Sequence, residues 1–254
     1  MKRLIHPFLA ILLTLMVPAM AHASALEDCR PQIKYGAPSN AGLLLCRLAY
    51  VLSYNTAHGT PDWVAYHLTE AEIHGNFLRT NDFRPDPELD RHHGAILADY
   101  QHSGYVPGQM VPADDMKWSA RAMSESFLLS SVAPLVPGME GGIWQTLQQN
   151  VRDWVRQRGD LYIVAGPIYD GTPKTIGANH VAVPTACYEV IFDPVRVDAI
   201  AFIIPNRTEN PLDLPKFIVS VNTVEKRTGL RFLPLLNESV KVLVASIPSP
   251  FWLH

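Results

Sequence analysis

The sequence predicts an α+β fold: a central, mainly antiparallel sheet with helices packed on its faces. Three observations carry this. Short runs rich in β-branched and aromatic residues mostly follow one another without an intervening helix, one long segment has a clear helical period, and the 21 prolines cut the chain into short elements. In chain order the strand-like runs are residues 62–68 (DWVAYHL), 126–132 (SFLLSSV), 160–168 (DLYIVAGPI), 181–192 (VAVPTACYEVIF) and 197–204 (VDAIAFII). Between the second and third, residues 142–158 place Ile143, Leu147, Val151, Trp154 and Val155 at helical spacing and end in basic side chains before Gly159, which predicts a helix.

The N-terminus reads as an export signal. Lys2 and Arg3 precede an apolar run from Phe8 to Met20, and Ala21, His22 and Ala23 form a small-x-small cleavage site. A membrane anchor is the competing reading, but the run is short for a ~20-residue span and is flanked or broken by Pro7 and Pro18. The expected organisation is therefore a signal peptide over residues 1–23, then one domain over residues 24–254. No composition shift divides that stretch, and its 48% hydrophobic parent sequence is long enough to bury a single large core. Cleavage removes two of the 21 basic residues and none of the 24 acidic ones, moving the formal net charge from −3 to −5. Affinity for a polyanion then requires a local basic patch, because the overall field repels it.

Export, whether to a periplasm or out of the cell, implies an oxidising destination, and three cysteines leave one unpaired. Cys29 and Cys46 bracket a loop containing Pro and Gly, and we expect them to pair; closing a loop of that size contributes ~3 kcal/mol in the chain-entropy model. Cys187, inside an apolar run, is expected to be an inert buried thiol.

The chain has no GxxxxGK[ST], GxGxxG, GxSxG or HExxH, which removes the corresponding nucleotide, hydrolase and zinc-protease chemistries. His67 and His74 flank two glutamates in HLTEAEIH, but the spacing fits no standard metal site and an exposed polar segment is expected. His92 and His93, in DPELDRHHG, are expected in a solvated turn.

The ordered series FRPDPELDRHHGAILADYQHSGYVPGQMVPADDMKWSARAMSESFLLSSVAPLVPGMEGGIWQTLQ (residues 83–148) carries the strongest signal. It is followed by LYIVAGPIY, IGANHVAVPTACYEVIF, AFIIPN and VEKRTGLRFLP. Over nearly the whole mature length this resembles the DNA/RNA non-specific endonucleases, the ββα-metal nucleases. The resemblance implies that fold, a divalent cation, and DNA and RNA as substrates.

Members of that family read DRGH after the DY and SGY words, and the histidine is their general base. This sequence has Val106, Pro107, Gly108 and Gln109 there, so only the glycine survives. Glu140 falls in the slot of the family's metal-binding asparagine, and Gln148 replaces a glutamate on the following helix. Arg79, in LRTNDF, matches the family's phosphate-contacting arginine, and Lys117 and Arg121 flank the Trp118–Ser119 word as candidate substrate-binding cations.

The two main exchanges differ in consequence. Asparagine to glutamate replaces a neutral oxygen with a charged one, which suits a hard cation, Mg²⁺ or alternatively Mn²⁺. Histidine to glutamine removes the side chain that titrates near neutrality, and an amide cannot accept a proton, although its carbonyl can orient a water. The expected function is an exported, metal-dependent endonuclease with Glu140 as metal ligand and Gln109 and Arg79 as catalytic groups. The alternative is a pseudo-nuclease that binds nucleic acid or a protein partner and cleaves nothing.

Overall fold

A computed structural model describes residues 29–39, 41–90, 94–246 and 252. The expected signal peptide and the His92–His93 pair lie outside the described residues. The centre is a seven-stranded sheet in the order β1 (Leu43–Cys46), β2 (Tyr50–Asn55), β3 (Thr60–Leu68), β6 (Leu161–Ile168), β9 (Ala186–Asp193), β10 (Asp198–Pro205) and β11 (Ile218–Val219), with every pairing antiparallel. Two short hairpins stand apart from it: β4 (Val106–Gln109) with β5 (Val132–Leu135), and β7 (Thr175–Ile176) with β8 (Val181–Ala182).

The sheet is buried on both faces, which is why its inner strands read as near-continuous apolar runs rather than as alternation. Strand geometry sends successive side chains to opposite sides. Tyr50, Leu52, Val64, Tyr66, Ile163 and Ile191 thus join one core, whereas Val51, Trp63, Ala65, Val190 and Phe192 join a second. On the first face lie the β4–β5 hairpin, the 3-10 turn Ala113–Met116 and a helix over Gln145–Arg158. We number the helices α1 (Leu97–Tyr100), α2 (Ala120–Glu125), α3 (Gln145–Arg158), α4 (Val221–Thr228) and α5 (Glu238–Ser246). Helix α3 buries Leu147, Val151, Trp154 and Val155 against the sheet and stops at Gly159, whose φ of 87° suits glycine. Helices α4 and α5 cover the second face through Val221, Val224, Val244 and Ala245.

The α+β architecture and the antiparallel sheet are those expected, and three strand-like runs fall on β3, β6 and β10. Others differ. Residues 126–132 are not a strand: Ser126 Oγ donates to Met123 O at 2.8 Å and Ser131 Oγ to Leu128 O at 2.9 Å, closing turns, and β5 begins only at Val132. Residues 181–192 split into β8 and β9 around Pro184, which has no N–H to give a ladder. The helix starts later than expected, because Gly142, Ile143 and Trp144 belong to a π-type turn, Met139–Trp144, kinked at Gly142. The HLTEAEIH segment is not uniformly exposed: His67 closes on β3, stacks on Tyr162 at 4.4 Å between ring centres, and sits 3.4 Å from Asp160. Cys29 and Cys46 are bonded as expected, and Cys187 is free and buried.

The first face is pinned by a buried polar cluster. Arg152 of α3 donates to Asp115 Oδ1 at 2.9 Å, Tyr66 of β3 donates to Asp115 Oδ2 at 3.1 Å, and Asp115 is fully buried. Removing either member of such an ion pair leaves a charge uncompensated in low dielectric, at a typical loss of ~3–5 kcal/mol. Glu189 on β9 completes the cluster with 2% exposure and an Oε1 that has no protein partner. Burial, reinforced by the neighbouring Asp115 charge and opposed by Arg152, pushes the Glu189 carboxyl up to about 8.

That value sets a direction for stability. Between the ordinary carboxylate range and about 8, the native state keeps a proton that the unfolded chain has released. This group's contribution therefore weakens as pH rises through that window and is flat above it, with a limiting slope of ~1.4 kcal/mol per pH unit. Glu189→Gln should flatten the fall in denaturation free energy between pH 6 and pH 8. Equal slopes in the two proteins would show that Glu189 is already ionised when folded.

Candidate active site

The β4–β5 hairpin aims residue 109 at the start of α3. In the ladder Gly108 faces Ala133 and Gln109 faces Val132. A Cβ built on Gly108 would sit 2.2 Å from Leu135 Cδ1, so the Leu135 side chain occupies the space that a side chain at 108 would need. That accounts physically for the one residue of the family motif kept here.

Gln109 is 3% exposed and held from every side. Its carbonyl accepts from Trp144 Nε1 at 3.1 Å and, more loosely, from Gln148 Nε2 at 3.4 Å; its N–H points to Glu140 Oε1 at 3.5 Å. Its side-chain Nε2 donates to Ser126 O at 2.8 Å, and its Oε1 accepts from Arg79 Nη2 at 3.0 Å. Arg79 is fixed in turn by Asn81, which accepts from Nε at 2.7 Å, and by the Phe127 ring, whose centre lies 4.9 Å from the guanidinium carbon.

These groups line a polar cavity of about 300 Å³ with Arg79, Gln109, Asp114, Glu140, Gln145 and Gln148 on its walls. The Glu140 carboxylate is desolvated: Oε2 is buried without a partner among the described residues, and burial raises the carboxyl to about 7, against the pull of the Gln109 N–H and of Arg79. For Asp114, burial is outweighed by the Lys117 ammonium at 2.6 Å together with Arg152 and Arg79, and its carboxyl is held below the usual range. The cavity thus presents one guanidinium, two carboxylates and three amides, and among the described residues no histidine lines it.

Three expected site residues, Arg79, Gln109 and Glu140, come together here from separate parts of the chain. Lys117 stands at the edge, tied to Asp114. Arg121 does not line the cavity; it pairs with Glu125 one turn along α2 at 2.7 Å with its side chain 70% exposed. Asp114 and Gln145 were not anticipated. Gln145 shares a helical face with Gln148, three residues on, and that spacing was the signal available. A second cavity of about 390 Å³, near His58, Tyr169 and Arg227, contains none of the expected residues.

Comparison with known proteins concerns the family and the fold. A family model described as DNA/RNA non-specific endonuclease matches residues 30–239. The mitochondrial nuclease EXOG of Xenopus laevis is 33% identical over 235 residues, which cover 84% of this chain and 64% of that relative, just under two thirds of its length. Human mitochondrial endonuclease G is 32% identical over 216 residues, covering 79% of this chain and 72% of its own. Among solved structures, the crystal structure of the EndoG/EndoGI complex superposes with a TM-score of 0.78 at 29% identity, covering 83% of this chain and 93% of the other.

Because Gln109 closes the cavity wall by bonds at both ends of its amide, Gln109→Ala should leave Arg79 Nη2 and Ser126 O without these partners. The expected loss is ~1–3 kcal/mol of unfolding free energy. Chemical denaturation reads this directly, and a change below ~0.5 kcal/mol, the level of an ordinary surface substitution, would show that Gln109 is not a clamp.

Proposed function

The chain belongs to the DNA/RNA non-specific endonuclease family, and on that premise we propose that it hydrolyses phosphodiester bonds of DNA and RNA. The reading includes a divalent cation, Mg²⁺ or Mn²⁺, held at Glu140. The observation that carries this is the Glu140 Oε2 atom, buried and without a protein partner on the wall of a polar cavity that also holds Arg79. An ionised carboxylate is costly in such a place unless something positive meets it. Among the described residues no group of three or more His, Cys, Asp or Glu forms a cage. One carboxylate plus retained water suits Mg²⁺, which dehydrates reluctantly, better than it suits structural zinc.

When bound, the cation supplies Lewis-acid stabilisation of charge developing on a phosphate oxygen. The chain's own groups do the rest. Arg79, pre-aimed by Asn81, Gln109 and Phe127, binds a non-bridging phosphate oxygen. Gln109 Oε1 has one lone pair committed to Arg79 and one left to accept from a water, which orients the nucleophile without taking its proton; that proton passes to bulk solvent or to a phosphate oxygen. Gln145 and Gln148 offer amides to the same cavity, and Lys117 at its edge adds positive charge for the strand that enters; Arg121 contributes to the wider field only.

Export and cleavage after Ala23 belong to the same reading: the leader-like N-terminus and the Cys29–Cys46 bond both suit an oxidising compartment outside the cytosol, periplasmic or extracellular. A second reading, a nucleic-acid binder that does not cleave, is favoured by one observation: the residue in the family's base position is an amide engaged at both ends.

Digestion of plasmid DNA by the purified mature protein separates the two. Nicking that requires Mg²⁺ or Mn²⁺ and stops with EDTA supports the enzyme, and salt-sensitive gel retardation without nicking supports the binder. In the enzyme, Glu140→Ala should reduce metal-dependent nicking by at least ~10². It should lower the thermal midpoint little, because Oε2 makes no bond to the protein and Oε1 only a long 3.5 Å contact with the Gln109 N–H. Wild-type nicking by Glu140→Ala at limiting Mg²⁺ would remove Glu140 from the site.

A further inference from the structure

Just outside the cavity, the segment leading to Arg79 displays apolar side chains to water. Phe77 is 46% exposed and Leu78 is 87% exposed. Among the described residues, Phe77 is the one exposed Phe, Tyr or Trp. Together Phe77 and Leu78 form a small exposed apolar step beside a cavity that holds Arg79.

The segment is not loosely placed. Phe77 N–H donates to Lys117 O at 2.9 Å, and a Cβ built on Gly75 would sit 2.1 Å from the Lys117 carbonyl carbon and 2.2 Å from Trp118 N. The two main chains touch at a distance that only glycine permits. Phe77 is thereby set next to Lys117, and Arg79, the guanidinium of the cavity, follows two residues later. An exposed aromatic ring with cationic residues as its neighbours is one arrangement by which proteins hold unpaired strands: cations meet the phosphates and a ring face meets the base. A duplex keeps its bases stacked on one another and offers this ring no base face.

We propose that Phe77, with Leu78 beside it, is a stacking platform for an unpaired nucleobase, so that the protein engages single-stranded DNA or RNA in preference to duplex. The inference rests on the nucleic-acid reading above and adds to it the strandedness of the substrate. Phe77 orients the nucleotide next to the phosphate that Arg79 binds, and Lys117 meets the adjoining backbone.

The test is binding, with EDTA present so that no cleavage intervenes. Anisotropy of a dye-labelled single-stranded oligonucleotide and of the same sequence as a duplex is followed for wild type, Phe77→Ala, Phe77→Tyr and Arg79→Ala. Phe77→Ala should weaken the single strand by about tenfold and the duplex by less than about twofold, and Phe77→Tyr should keep wild-type affinity. A 2-aminopurine base in the strand should be quenched by wild type and not by Phe77→Ala. Unchanged single-strand affinity in Phe77→Ala, or equal losses for strand and duplex, overturns the platform. If Arg79→Ala weakens binding while Phe77→Ala does not, the platform alone fails. If wild type binds neither form in EDTA nor with Ca²⁺ in place of EDTA, the nucleic-acid reading fails with it.

Discussion

The site depends on how the main chain of residue 109 is held. Its carbonyl is bonded by Trp144 and Gln148 from the start of α3, its N–H faces Glu140 in the preceding turn, and its strand pairs with β5. A two-stranded hairpin of this size is not stable by itself in water. It is stable here because Met110, Val111 and Leu135 join the core between the hairpin, α3 and the sheet. The same bonds that stabilise the hairpin bring residue 109, the Glu140 turn and the Arg79 loop to one cavity. Since residue 109 makes those bonds with its backbone atoms, the side chains at 106, 107 and 109 can depart from the family pattern while the ββα arrangement of β4, β5 and α3 persists. Gly108 cannot depart so freely, given how near Leu135 lies.

Charge is distributed in tension with the expected substrate. The whole chain is acidic, and the cavity itself contains two carboxylates. Asp114 is neutralised by Lys117, whereas Glu140 is met only by a long contact from the Gln109 N–H and by the more distant Arg79. The imbalance leaves Glu140 as the place where added positive charge gains most. Deeper down, Asp115 and Arg152 compensate one another, and Glu189 avoids the penalty by keeping its proton. The region beneath the site is thus electrostatically closed, and the cavity above it is open to a cation.

Much of the fold was legible because burial on both sheet faces makes β3, β6, β9 and β10 strongly apolar. Strands β1 and β2 escaped notice: β1 is short and partly exposed, and β2 carries Ser53 and Asn55 among its apolar residues. Residues 126–132 misled because their composition suits a strand, whereas the serines at 126 and 131 bond to local carbonyls and turn the chain. At the site, Arg79, Gln109 and Glu140 were found through family resemblance, since nothing in local spacing relates positions so far apart in the chain. Asp114 and Phe77 were not found, because their significance lies in what stands beside them in space: Lys117 for the first, and Lys117 and Arg79 for the second.

A cation at Glu140 is the claim on which the chemistry turns, and crystallography with Mn²⁺ addresses it without reference to catalytic rate. Crystals of the mature protein soaked in Mn²⁺ and measured near the manganese edge should give an anomalous peak in direct contact with Glu140 Oε2, inside the cavity walled by Arg79 and Gln109. A saturating soak with no peak at Glu140, or with manganese bound only elsewhere, would contradict it.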